Sequence, residues 1–186
     1  MEVMNVIMHK FLDYQPAKDA ETLIIGTFNP NVEDNKANFF YSRPRNYLWT
    51  ILPTAHTKKG LKNASRLEKE NFSSTYKIAF IDLIENVKVH EGQEVNYEDA
   101  YLDKQEIEWR KVIEVMKELS NLKRVCFSRS TFADIPRMNK VVIEIEDYCK
   151  DNKIKFQRLV TPARFYNEAK QDQWNNFLLN DSGQPN

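Results

Sequence analysis

Four short apolar runs, separated by segments of helical periodicity, limit what this chain can fold into more than any other feature of its sequence. Glu21-Thr22-Leu23-Ile24-Ile25-Gly26-Thr27 ends at a glycine, as a strand buried on both faces does before a loop. Ile78–Ile81, Arg124–Phe127 and Phe156–Val160 have the same form, the last stopped by Thr161-Pro162. Between them Trp109, Val112, Ile113 and Met116 recur at helical spacing, as do Met138, Val141, Val142, Ile145 and Cys149. The closing segment from Asn167 puts Trp174, Phe177 and Leu178 on one helical face. This alternation predicts an α/β chain: a three-layer α/β/α sandwich around a mainly parallel sheet of about four strands. Its strands are expected at Leu23–Thr27, Ile78–Ile81, Val125–Phe127 and Phe156–Val160. A length of 186 residues suits one domain, expected over 1–179, with 180–186 as a disordered tail.

Composition excludes several kinds of chemistry. The glycines stand at positions 26, 60, 92 and 183, so neither a dinucleotide fingerprint nor a phosphate loop can be written. Two cysteines, Cys126 and Cys149, cannot build a four-cysteine zinc or iron–sulfur site, and both sit at apolar-patterned positions as reduced core residues. No cofactor and no metal is expected. No apolar run approaches the roughly 20 residues that span a bilayer, and the first residues lack a basic stretch followed by an apolar one. A cytoplasmic protein without a membrane partner is the expectation.

The chain balances 27 basic against 27 acidic side chains, which argues against coating nucleic acid non-specifically. The charges are nonetheless segregated, with a local balance of +5 from Tyr41 to Glu70 and −7 from Ile81 to Glu108. One face could meet an anionic partner, or both stretches could be solvated faces.

In parallel sheets the ligand crevice lies beyond the carboxyl ends of the strands, which directs attention to the loops after Thr27, Phe127 and Val160. The first is long and aromatic, containing Phe28-Asn29-Pro30 and then Asn38-Phe39-Phe40-Tyr41-Ser42-Arg43-Pro44-Arg45-Asn46-Tyr47-Leu48-Trp49. Leu48 and Trp49 read as packing residues, whereas Tyr41 offers a platform for a flat ligand and Arg43 and Arg45 can pair with anions. Asn29 and Asn46 could turn the loop, or could hold a water or a base edge.

Leu23-Ile24-Ile25-Gly26-Thr27-Phe28-Asn29-Pro30, followed by Phe40-Tyr41-Ser42-Arg43-Pro44-Arg45-Asn46-Tyr47-Leu48-Trp49, resembles the first motif region of the uracil-DNA glycosylase superfamily. The likeness is greatest to the mismatch-specific uracil and the deoxyinosine (hypoxanthine) glycosylases, whose segment reads Tyr-x-His-Pro-Arg-Asn-x-Phe-Trp. It continues in Lys77–Asn86, with the internal Asp82, in Val125–Phe132, and in Leu159-Val160-Thr161-Pro162-Ala163-Arg164. Arg43 stands in place of a histidine, Leu48 of a phenylalanine, Arg129 of a glycine and Thr161 of a serine. His9, His56 and His90 all lie away from Thr161 in sequence, which disfavours the histidine-using branch.

The resemblance implies a monofunctional DNA glycosylase acting on a flipped, deaminated base, uracil or hypoxanthine, in DNA. Asn46 or Asn29 would be the catalytic amide, positioning a water. Thr27, Phe28, Tyr41 and Thr161 would contact the base, with Tyr41 as its stacking surface. Arg43, Arg45, Arg164 and Phe165 would contact DNA, the last two as a wedge, although Phe165 could equally pack under the final helix. Asn29, Tyr41, Asn46 and Thr161 are expected to line one cleft in a monomer. The alternative is a non-catalytic nucleic-acid or nucleotide-binding module on the same fold.

Overall fold

The computed structural model describes residues 4–180. In chain order its elements are β1 (Met4–Met8), β2 (Thr22–Gly26), α1 (Leu48–Ala55), α2 (Arg66–Thr75), β3 (Ile78–Asp82), β4 (Ile84–His90), α3 (Asp99–Leu102), β5 (Glu106–Trp109), α4 (Val112–Glu118), β6 (Arg124–Phe127), α5 (Pro136–Asp151), β7 (Lys155–Arg158) and α6 (Glu168–Leu179). The expected disordered tail falls, beyond Asn180, outside the described residues.

β3, β2, β6 and β7 form, in that order, a four-stranded parallel sheet. All four expected strands are in it, with ends displaced by one or two residues: the first begins at Thr22 and the last stops at Arg158. Side chains alternate between two cores, as the two-residue period of a strand requires. Leu23, Ile25, Ala79, Ile81, Val125 and Phe127 face Met116 of α4 and Met138, Val142 and Ile145 of α5. Ile24, Ile78, Phe80 and Cys126 face Leu48 and Trp49 of α1, Phe72 of α2 and Trp174 of α6. These are the three expected layers. Cys126 and Cys149 are buried free thiols, as their positions suggested.

β1, β4 and β5 make a second, antiparallel sheet that was not anticipated. Val87 and Val89 point into the core while Lys88 bonds outward to Glu106 at 2.6 Å, so this sheet carries much of the acidic stretch. Trp109, assigned by spacing to a helix, ends β5 instead, and α4 begins at Val112.

The first parallel strand in sequence, β2, lies inside the sheet, and the chain passes from it to β3 on one side and later to β6 on the other. The carboxyl ends of β2 and β6 therefore frame the switch point at which open α/β sheets form their crevice.

Candidate active site

Asp82 closes β3 and is buried. Its Oδ2 accepts from His9 Nε2 at 2.7 Å and from the Asn29 amide Nδ2 at 2.9 Å. The Phe11 N–H donates to His9 Nδ1 at 3.0 Å, which makes Nε2 the protonated nitrogen of a neutral ring. His9 reaches Asp82 because the end of β1 is held between two backbones. His9 N–H donates to the Glu85 carbonyl at 2.8 Å, and Lys10 N–H to that of Asn29 at 2.7 Å. With Nδ2 committed to Asp82, the orientation of the Asn29 amide is fixed, and its Oδ1 accepts no hydrogen bond among the described residues.

Gly26 has no β-carbon for a reason of space. One placed there would come within 2.4 Å of Asp82 Oδ1 and 2.8 Å of the Tyr41 hydroxyl. Tyr41 lies across the strand ends, its hydroxyl 2.9 Å from Ser128 Oγ just past β6. Burial, with Asp82 nearby, pushes its phenol well above the usual range, so it stays neutral. Tyr41 also occupies left-handed backbone at φ 55°, uncommon for a bulky residue and a local cost accepted where structure around it is firm. That firmness has identifiable sources. Phe39 and Phe40 are buried, and Trp49 Nε1 donates to the Phe40 carbonyl at 2.7 Å. The buried Lys69 donates to Asn38 Oδ1 at 2.8 Å and Ser42 Oγ at 2.9 Å, its pKa lowered by the loss of solvent.

Asn46 belongs to a second group of residues. Its Oδ1 accepts from Leu48 N–H at 3.0 Å, supporting the start of α1, and its backbone bridges to Ala163. The Tyr47 N–H donates to the Pro162 carbonyl at 2.9 Å and the Arg164 N–H to that of Arg45 at 2.8 Å. Thr161 Oγ1 accepts from Ala163 N–H at 3.2 Å, a turn of the segment upon itself. Buried Lys170 secures this loop from α6, donating to the carbonyls of Ala163 at 3.0 Å and Phe165 at 2.7 Å. Phe165 is 56% exposed, which rules out the staple beneath α6. Arg164 is exposed at φ 77°. Beside them Tyr166 faces Tyr47 at 6.3 Å, and Lys62 Nζ sits 3.9 Å over the Tyr47 ring, so part of the basic stretch adjoins this rim.

The structure thus gathers Thr27, Phe28, Asn29 and Tyr41 around Gly26 and Asp82, and Arg45, Asn46, Arg164 and Phe165 around the turn at Thr161. No side-chain hydrogen bond joins the two groups among the described residues. Phe28 is buried against the His9 ring at 5.9 Å, a wall rather than an open surface. Arg129 is turned into an ion-pair cluster with Asp99 at 2.6 Å and Asp134 at 2.5 Å. His9, Ser128 and Lys170 were missed by sequence reasoning, and Asp82 was noted only within a motif. The signal available for Asp82 was an acidic residue at the inner end of an apolar strand; for His9 there was none, since it meets Asp82 across 73 positions. Among the described residues there is no cluster suited to a metal ion and no helix long and apolar enough to cross a membrane.

No protein-family model matches this chain, and no curated protein matches it. Among solved structures, the chain is similar to a protein from Methanosarcina acetivorans described as a "putative Uracil DNA glycosylase", determined by solution NMR. The TM-score is 0.61 at 17% identity, over 87% of this chain and 91% of the other. At that identity the likeness is one of fold: this chain has the architecture of that protein.

Proposed function

We infer that this protein is a DNA glycosylase that removes a deaminated base, uracil or hypoxanthine, from DNA after the nucleotide has left the stack. The observation that carries the reading is the oriented Asn29 amide, fixed by Asp82 and backed by His9, beside a glycine whose bare α-carbon lets Asp82 and Tyr41 close in on the strand end. The fold shared with the Methanosarcina acetivorans protein and the sequence motifs support it.

Breaking an N-glycosidic bond leaves positive charge on the sugar and negative charge on the departing base. Fixed dipoles and one held water are sufficient apparatus. Asn29 Oδ1 faces away from Asp82 and accepts from that water, holding it under the sugar. An amide takes up no proton at neutral pH, so its role is placement rather than general base catalysis. The backbone N–H groups of Thr27 and Phe28 meet no acceptor among the described residues and are free to donate to a base oxygen. Tyr41 receives the base on its ring. Asn46, whose Nδ2 meets no acceptor among the described residues, and Thr161 act on the sugar side of the site, where Arg45 adds charge for phosphate. Arg164 and the exposed Phe165 enter the stack and oppose the return of the extruded nucleotide.

Oligonucleotides carrying one uracil, hypoxanthine or xanthine, incubated with the protein and then treated with alkali, test this. Strand scission at the lesion, dependent on alkali, is the expected result. Absence of scission with every base would leave the non-catalytic binding module as the better reading.

A further inference from the structure

Two arginines flank the contact that brings the strand-end loops together. Tyr41 and Ser128 meet at 2.9 Å; Arg43 follows the first by two residues and Arg129 follows the second directly. Both arginines hold the same short segment. The Arg43 guanidinium lies 3.8 Å from the centre of the Tyr97 ring, and Arg129 Nη1 donates to Asp99 Oδ2 at 2.6 Å. Tyr97 and Asp99 thus bridge the loops after β2 and β6 from a third piece of chain, where the irregular connection from β4 enters α3.

This piece is anchored on both sides and lightly held between. Glu94 Oε1 accepts from Asn5 Nδ2 of β1 at 2.6 Å, and beyond α3 Asp103 accepts from the Arg137 N–H at 3.0 Å and the Met138 N–H at 2.6 Å, at the start of α5. Over residues 91–100 no side chain is buried, and Tyr97 is 43% exposed. A segment that buries so little apolar surface opens at small cost. Nor does it serve Arg43 well. A ring face attracts the cation but accepts from none of its N–H groups in line, and the buried Nη2 meets no acceptor among the described residues. A phosphate would accept from two of those groups at once.

We propose that residues 95–99 form a displaceable strap: in the free protein Tyr97 covers Arg43, and a DNA phosphate takes the place of the ring as the strap swings away. Glu98 and Asp99 move with it, so an approaching phosphate backbone repels the strap while it attracts the arginine. Arg129 is released only in part, because its Nη2 also donates to both oxygens of Asp134, at 2.5 and 2.6 Å. Opening therefore gains one phosphate contact, at Arg43. The strap sets a threshold for access: a strand that delivers a phosphate to Arg43 opens it, whereas a free base or nucleoside brings none and leaves it closed. This rests on the DNA-binding part of the glycosylase reading and not on its chemistry.

The test is equilibrium binding, over a range of salt, of a duplex carrying one tetrahydrofuran abasic site, a probe that needs no base excision. Tyr97→Ala leaves the net charge unchanged, so a gain in affinity cannot come from charge alone. It should tighten binding roughly 3- to 10-fold, the scale of one partly exposed cation–π contact, and steepen the salt dependence by about one phosphate contact, with the melting temperature retained. Tyr97→Phe keeps the ring and should bind as the wild type does. With Arg43→Gln in the background, Tyr97→Ala should gain nothing. In the wild-type protein, amide exchange over residues 95–99 should quicken when DNA is bound, a readout that needs no variant. Binding that Tyr97→Ala weakens or leaves unchanged, or exchange that slows or stays the same on DNA binding, would overturn the strap. So would a failure of both wild type and Tyr97→Ala to bind DNA. A strap that opens on DNA in a protein that excises no base would uphold the proposal and remove the enzyme; normal excision with a strap that stays closed would do the opposite.

Discussion

Asn29 Nδ2 and His9 Nε2 converge on the same oxygen of Asp82, at 2.9 and 2.7 Å, joining the loop after β2 to the end of β1 through one buried carboxylate. Removing it in Asp82→Ala leaves two buried donors unpaired, each costing about 1–3 kcal/mol. A larger fall in melting temperature than that of His9→Ala, measured by calorimetry, is the expected outcome, because His9→Ala strands one buried donor, the Phe11 N–H, rather than two.

Tyr41 supplies a ring and a hydroxyl, and these are separable. Tyr41→Ala should weaken binding of a flipped base by roughly 1–3 kcal/mol while leaving affinity for an abasic product intact. Tyr41→Phe, which loses only the contact with Ser128 Oγ, should keep most base affinity. Titration of the two variants against lesion and abasic oligonucleotides distinguishes stacking from hydrogen bonding.

Phe165 and Arg164 stand on a loop fixed from beneath by Lys170, so their exposed side chains can change without loss of fold. Phe165→Ala should slow excision from paired duplex more than from single strands and leave the melting temperature unchanged. Arg164→Ala should reduce the salt slope of duplex binding by about one. Equal slowing on both substrates would remove the wedge.

Tyr14 gives a prediction in pH. Burial raises its phenol from 10.0 to about 12. A raised acid is protonated in the folded state while its unfolded counterpart ionises, so stability held below pH 10 is lost as pH climbs toward 12. Tyr14→Phe should flatten part of that decline, by an amount on the order of 1–2 kcal/mol, readable in urea denaturation at pH 9 and pH 11.5.

The parallel sheet was legible because its strands are apolar on both faces. Leu23-Ile24-Ile25 and Ile78-Ala79-Phe80-Ile81 leave a chain little choice once helices separate them. The antiparallel sheet was not, although Val87-Lys88-Val89 alternates: its outward residues are charged, and they read as a solvated acidic stretch. Trp109 misled because a strand abutting a helix can imitate helical spacing over four positions. In the site, Asn29 and Tyr41 were accessible from the two segments, Leu23–Pro30 and Phe40–Trp49, of one motif region. The His9–Asp82 contact was not, because it depends on where β1 lies rather than on any local pattern. The place of Arg43 was equally invisible: an arginine beside a proline in an aromatic loop reads as a surface anion contact, whereas its guanidinium lies 3.8 Å from the centre of the Tyr97 ring.

Single-turnover base release from uracil- and hypoxanthine-containing oligonucleotides, measured side by side for the wild-type protein and Asn29→Ala, tests the central claim most directly. The account predicts free base from the wild type with the phosphodiester intact until alkali is added. It predicts a rate lowered by roughly 10²-fold or more in a variant whose melting curve remains cooperative, the loss expected when one well-placed polar group leaves a charge-developing site. A wild-type protein that excises base while Asn29→Ala does so at the same rate would contradict the mechanism.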